Sequence, residues 1–90
     1  MEHAKPIRRF IFSSHAIFEM QRRGLTEDLV RRVLLNPEQR YRVRQGRDVL
    51  QSRVEMENRL YLIRVFVDTE ESPAQIVTAY RTSKVEKYWK

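Results

Sequence analysis

The stretch Thr78–Lys90 combines positive charge with large aromatic rings. Cations hold phosphate groups and aromatic rings stack on unpaired bases, so this composition favours contact with a nucleic acid. Glu86 is the only acidic residue of the stretch. A structural explanation stays open, in which the rings pack a final strand and helix, and for Trp89 we favour it. The cations and rings are Arg81, Lys84, Lys87, Lys90, Tyr80, Tyr88 and Trp89.

Arginines alternate with other residues in the middle of the chain, where the hydrophobic period is two. Turns at 45–46 and 57–58 predict a register in which Arg42 lies opposite Val49 and Gln51 opposite Arg64. The predicted core face holds Tyr41, Val43, Leu50, Val54, Tyr61, Ile63 and Val65. The opposite face holds Arg40, Arg42, Arg44, Arg47, Arg53 and Arg64, with Glu55 as its only acid. Because like charges repel across strands, a phosphate ligand is favoured over an unoccupied solvated face.

His15 stands near the start of a predicted helix and points away from its apolar stripe. The positive end of the helix dipole favours the neutral imidazole there, which can accept a proton. His15 is thus a candidate base, although a lone surface or capping histidine is the commoner case. The chain has only one other histidine, no clustered carboxylate motif and two glycines, so we expect no metal site and no phosphate-binding glycine loop.

Composition predicts one domain, residues 1–90, in a reducing compartment. The 90 residues include no cysteine, so neither disulfides nor thiolate metal sites are expected. No apolar stretch has the length of a signal or membrane helix, and we expect a cytoplasmic protein that does not enter membranes. The net charge is +6, with fourteen arginines against four lysines. Arginine grips phosphate with two donors at once, so this bias favours a polyanionic partner.

The elements that must position these residues are predicted in the order strand, helix, helix, four strands and a short last helix. Residues 8–12 form the first strand, and a helix follows from about Ser14 to Arg23, ended by Gly24. Thr26 caps the second helix, which ends at Asn36 and Pro37. We therefore predict an α+β fold, with two N-terminal helices packed on one face of a curved antiparallel sheet and the basic face open.

Three segments carry a resemblance to a known group of proteins. They are "HAIFEMQRRGL" at 15–25, "NPE" at 36–38 and "TAYRTSKVEKYW" at 78–89. Together they resemble an uncharacterised bacterial domain family that is grouped with ribonuclease toxins of the barnase, EndoU, colicin and RelE type. The resemblance runs from about Phe12 to Trp89 and implies a RelE-like fold whose open sheet face receives RNA. Glu19 departs from the pattern, because relatives carry arginine there, and Arg22 is the neighbouring cation that could replace it.

The resemblance implies a set of site residues. His15, Arg23, Tyr80, Thr82 and Lys84 would be catalytic. The residues expected to bind nucleic acid are Arg22, Arg42, Arg44, Arg53, Arg64, Arg81, Lys87 and Tyr88.

The expected function is metal-independent RNA cleavage, which needs a base, an acid and cations for the phosphorane. His15 or Tyr80 could be the base and Lys84 or His15 the acid. Arg23, with Arg64 or Arg81, could clamp the phosphate, and Tyr88 or Trp89 could stack a base. No cofactor is expected, and the expected partners are RNA, free or on the ribosome, and a cognate antitoxin protein. Two alternatives stay open, a module that binds RNA or DNA without cutting it and a toxin-fold protein that inhibits a protein target.

Overall fold

The computed structural model of the protein describes residues 4–90, so residues 1–3 of the predicted domain lie outside the described residues. Its architecture is mixed α+β, which confirms the predicted class. The elements in chain order are β1 (Phe10–Phe12), α1 (Ser14–Arg22), α2 (Glu27–Leu35), β2 (Gln39–Arg44), β3 (Arg47–Met56), β4 (Arg59–Asp68), β5 (Ala74–Thr82) and α3 (Val85–Tyr88). Within this part of the chain, no helix is long and apolar enough to cross a membrane.

The five strands form one sheet in the order β1-β5-β4-β3-β2. Strands β2 to β5 make the predicted antiparallel meander. Strand β1, however, runs parallel to β5, with Phe10 beside Ala74, so the prediction of a purely antiparallel sheet is wrong. The aromatic and branched residues of β1 indicate a strand but not its partner, which lies far along the chain.

Each of the two longer helices begins with a hydrogen bond from a capping side chain. Ser13 Oγ accepts from the Ala16 N–H at 3.0 Å, and Thr26 Oγ1 accepts from the Leu29 N–H at 3.1 Å. These bonds satisfy backbone donors that have no partner within the helix. Gly24 takes a φ of +71° after α1, a conformation that favours glycine and ends the helix there.

Side chains from both helices join those of the sheet in one hydrophobic cluster. In the β3–β4 and β4–β5 registers, Leu50 pairs with Val65 and Val65 with Ala79, so the three share one face of the sheet. Burial of this face supplies the main stabilisation of the fold. The buried members of the cluster are Ile7, Ala16, Met20, Leu25, Val30, Val33, Leu34, Leu50, Ile63, Val65, Val67, Ile76 and Ala79.

The opposite face of the sheet is covered at its centre, contrary to the prediction that it is open. Val49, Gln51, Leu62 and Arg64 are all buried on this side. Helix α3 and the residues after it cross the strands here, and Gln51 Nε2 donates to the Tyr88 carbonyl at 3.1 Å. Sequence patterns gave the short helix but not the face on which it lies, because four helical residues show no clear periodicity.

A β-bulge changes the predicted register of β2. Arg44 pairs with Arg47, but Arg42 pairs with Asp48 and Tyr41 with Val49, because the register shifts between Arg42 and Arg44. A bulge inserts one extra residue and turns the following side chains to the other face. The predicted pairing of Arg42 with Val49 is therefore wrong, and so is the assignment of Tyr41 to the core face.

Candidate functional site

Arg64 lies at the centre of the covered sheet face, with only 6% of its surface exposed. Its three guanidinium nitrogens donate to three different residues. Nε donates to Gln51 Oε1 at 2.9 Å, Nη1 to the Tyr80 hydroxyl at 2.7 Å, and Nη2 to the Tyr41 hydroxyl at 2.7 Å. The strands bring these residues together, since Gln51 and Tyr80 pair with Arg64 from β3 and β5.

Tyr88 covers this group from the side of α3. The Arg64 guanidinium carbon lies 4.2 Å from the centre of the Tyr88 ring, a distance typical of a cation–π contact. We call Arg64, Tyr41, Gln51, Tyr80 and Tyr88 the Arg64 cluster. Among residues 4–90, no carboxylate forms an ion pair with Arg64, and the groups around its charge are neutral oxygens and the rings of Phe66, Tyr80 and Tyr88. The cluster therefore favours an anion at its surface.

The two tyrosines of the cluster next to α3 differ in acidity. The hydrogen bond from Tyr80 and then the charge of Lys87 lower the pKa of Tyr88 below its ordinary value. Burial raises the pKa of Tyr80, against the opposing effect of Arg64. Tyr88 is thus the one of the pair that ionises more easily.

Pairs of cations and aromatic rings extend from the cluster toward the last residues of the chain. The Arg53 guanidinium carbon lies 4.1 Å from the centre of the Trp89 ring, and Glu38 binds the same guanidinium at 3.1 Å. The Lys87 ammonium lies 5.3 Å from the Tyr88 ring. Three of the residues predicted to bind nucleic acid, Arg53, Arg64 and Lys87, therefore contact aromatic rings of the C-terminal segment.

Helix α1 places Arg23 against β5. Arg23 Nη1 donates to Thr78 Oγ1 at 3.1 Å and to the Ala79 carbonyl at 2.9 Å. Its other terminal nitrogen lies 2.8 Å from Glu19, which also binds Arg22 at 2.9 Å. The hydrogen bond from Arg22 is the main cause that lowers the pKa of Glu19. One carboxylate thus holds both arginines at the end of α1, and it is buried.

The other predicted catalytic residues lie at the edges of this arrangement. His15 is exposed near the start of α1, and its proximity is one of the smaller causes that lower the pKa of Glu19 one turn later. Thr82 Oγ1 accepts the Lys84 N–H at 3.1 Å. Within residues 4–90, no hydrogen bond, ion pair or ring contact joins His15 to Lys84. The structure therefore brings Tyr80 and Tyr88 into direct contact with Arg64, but it does not join His15 to that group.

The arginines predicted to bind nucleic acid are divided between the two sides of the sheet. Arg81 pairs with Ile63 of the core face, forms an ion pair with Glu57 at 3.0 Å, and lies 4.9 Å from the Tyr61 ring. The bulge turns Arg42 to the same side as Asp48. Arg42 and Arg44 are exposed on β2. Arg42 and Arg81 therefore lie on the other side of the sheet from Arg64, whereas Arg44 pairs with Arg47 and stays on the Arg64 side.

Tyr41 and Gln51 are the members of the cluster that sequence reasoning missed. Tyr41 lies on the Arg64 side of the sheet because of the bulge in β2, and the sequence of β2 gives no clear signal of a bulge. Gln51 did have a signal, because the predicted register already placed it opposite Arg64, and that register is confirmed. Gln51 in turn donates from Nε2 to Gln39 Oε1 at 2.8 Å, which links the cluster to β2.

The described part of the chain contains no group of three or more histidine, cysteine, aspartate or glutamate residues that could hold a metal ion.

Fold and site together define the class of this protein, which is an α+β domain with a buried cluster of arginine and tyrosine side chains. The chain belongs to a family described as a domain of unknown function, DUF4258, whose model matches residues 12–81. The match includes Arg64 and Tyr80 and ends before Lys84, Tyr88 and Trp89. Neither the curated proteins nor the solved structures yielded a match to the chain.

Proposed function

We propose that the chain is a RelE-like ribonuclease domain that cuts RNA by general acid–base chemistry without a metal ion. The observation that carries this proposal is the placement of the Tyr88 ring. Its centre lies 4.2 Å from the Arg64 guanidinium carbon, 5.3 Å from the Lys87 ammonium and 6.4 Å from the centre of the Tyr80 ring. A tyrosine with a lowered pKa in a cationic setting can accept a proton near an anionic substrate.

The reaction is attack of a ribose 2'-oxygen on the adjacent phosphorus. The base takes the 2'-hydroxyl proton, the new P–O bond forms, and the bond to the 5'-oxygen breaks. An acid returns a proton to that leaving oxygen, so the products are a 2',3'-cyclic phosphate and a 5'-hydroxyl. Negative charge gathers on the phosphorane oxygens during the step, and nearby cations stabilise it.

In this scheme each role falls to a named side chain. Tyr88 is the base, Lys84 the acid, and Lys87 the cation at the phosphorane. Arg64 and Tyr80 orient Tyr88 and keep its oxygen in a positive field. Arg23 acts as a positioning residue for β5 through Thr78.

His15 and Thr82 belong to the proposed site at its edges. A cognate antitoxin that covers the C-terminal segment remains part of the proposal.

A second candidate function is RNA binding without cleavage. The burial of Arg64 favours it, because the three hydrogen bonds of the guanidinium and the Tyr88 ring leave little room for a phosphate oxygen. A phosphate would then bind only the exposed lysines around α3. Binding of that kind depends strongly on salt and leaves the substrate intact.

An assay with end-labelled RNA in the presence of a metal chelator separates the two functions. The wild type should cut the RNA, and Tyr88→Phe should cut it about 100- to 10,000-fold more slowly, the usual contribution of a general base. Tyr61→Phe is the matched control, because Tyr61 lies on the other sheet face under Arg81, and it should cut at the wild-type rate. A salt-sensitive mobility shift with intact RNA would reject cleavage in favour of binding.

A further inference from the structure

Two adjoining pockets flank α3 on the sheet face that this helix crosses. The first has a volume of about 390 Å³ and the second about 490 Å³. They share Leu60, Val85 and Glu86 as lining residues. The first is completed by Arg53 and Trp89, and the second by Ser83, Lys84 and Lys87. One pocket is therefore aromatic and the other cationic, and a single short ligand could fill both.

The first pocket offers a surface for a flat aromatic ligand. Trp89 lines it together with Val85 and Leu60, and Leu60 is 49% exposed although it lies in a strand. The guanidinium of Arg53 lies over the Trp89 ring at 4.1 Å and adds a second planar group to the wall. Stacking on a tryptophan and an apolar side chain suits any nucleobase, because every base has a π face. These walls alone would bind any of the four bases and would not discriminate among them.

Glu86 is the residue that would discriminate among the bases. It is exposed, it lines both pockets, and within residues 4–90 its carboxylate forms no hydrogen bond or ion pair, although Lys84 and Lys87 are close in sequence. A carboxylate presents two acceptor oxygens and no donor. Of the four RNA bases, only guanine has two adjacent donors, N1–H and N2–H, on its Watson–Crick edge. The other three present an acceptor beside each donor and would meet repulsion at this carboxylate.

We infer that the two pockets bind a guanine nucleotide, with the base stacked on Trp89, its Watson–Crick edge on Glu86, and its phosphate between Lys84 and Lys87. The inference deepens the proposed function and rests on it, since it names the base that the RNA carries at this site. The second pocket fits the phosphate, because it adds two ammonium groups and the Ser83 hydroxyl to the shared walls.

Trp89 is the only tryptophan in the chain, so its fluorescence reports on the first pocket directly. The test titrates the full chain with the 5'-monophosphates of guanosine, adenosine, cytidine and uridine. We expect saturable quenching with guanosine monophosphate at a concentration at least tenfold lower than with the other three. Glu86→Gln should weaken guanosine monophosphate about tenfold or more, the loss of one charge-assisted hydrogen bond. Glu71→Gln, which removes an exposed acid from the β4–β5 connection, is the matched control and should bind like the wild type.

The sign of the Glu86→Gln effect distinguishes base recognition from simple charge. Removing a negative charge beside a bound phosphate would strengthen binding if Glu86 did not contact the base. Equal or tighter binding by Glu86→Gln, or equal quenching by all four nucleotides, would overturn the inference. Cleavage of RNA by the same preparation tests the proposed function separately. Selective binding of guanosine monophosphate together with uncut RNA would support the guanine pocket and reject the ribonuclease. Cleavage of RNA without selective binding would support the ribonuclease and reject the guanine pocket.

Discussion

Replacement of Arg64 by lysine tests whether the Arg64 cluster holds the covered face of the sheet together. Arginine and lysine carry the same charge, so the substitution leaves a positive charge at the same buried position. What changes is geometry, because each of the three guanidinium nitrogens bonds a different residue, Gln51, Tyr80 or Tyr41. A lysine ammonium is a single point on a flexible stem and cannot reach three acceptors set around a planar fork.

The expected loss of stability follows from the bonds that lysine cannot make. A hydrogen bond from a charged donor contributes about 1.5 to 3 kcal/mol. If the ammonium keeps one of the three acceptors, the other two are lost, which at the lower value gives about 3 kcal/mol. That is a large part of the roughly 5 to 15 kcal/mol that stabilises a domain of this kind. The variant should still fold.

Urea unfolding, followed by circular dichroism at neutral pH, measures this loss as a fall in the free energy of unfolding. Arg44→Lys is the matched control, because Arg44 is exposed on β2, and it should lie within about 0.5 kcal/mol of the wild type. An Arg64→Lys variant as stable as this control would refute the reasoning. It would mean that the three short contacts of the guanidinium contribute nothing to folding.

Three further predictions concern the turns and α1. Gly46 has a φ of +77°, and a Cβ there would lie 2.7 Å from the flexible Glu70 carboxylate. Gly46→Ala should therefore lower the free energy of unfolding by about 1 kcal/mol, mainly through backbone strain, as thermal unfolding would measure. Asn58 has a φ of 62° in the β3–β4 turn, so Asn58→Val should cost about 1 to 2 kcal/mol while Asn58→Gly should not, as urea midpoints would reveal. The pKa of Glu19 is lowered from its ordinary 4.5, so the ionised carboxylate stabilises the fold above that pH, and this stabilisation is lost as the pH falls through the lower folded pKa. Glu19→Gln should therefore be less stable than the wild type at neutral pH and should lose less stability in acid, as urea unfolding across that pH range would measure.

Local signals in the sequence sufficed where the structure is determined locally. The Glu57–Asn58 turn fixed the β3–β4 register, and with it the pairing of Gln51 with Arg64, because a two-residue turn leaves the strands one way to pair. The Thr26 cap fixed the start of α2 in the same way. These features depend on a few adjacent residues, so composition and spacing are enough to predict them.

Features that depend on distant contacts were not predicted. The bulge in β2 moved Tyr41 to the side of Arg64, and nothing in the neighbouring residues distinguishes that register from the regular one. The crossing of α3 over the sheet buried Arg64, whereas the alternation of residues had indicated an exposed arginine. An arginine opposite a glutamine in a central strand is the pattern that could have indicated a covered polar cluster.

Cleavage of an RNA oligonucleotide beside its fully 2'-deoxy analogue, both in excess chelator, tests the ribonuclease proposal most directly. The reaction proposed for Tyr88 begins at the 2'-hydroxyl, so the RNA should give fragments that end in a 2',3'-cyclic phosphate and the deoxy analogue should remain intact. Intact RNA under these conditions, or equal cutting of the two oligonucleotides, would contradict the proposal.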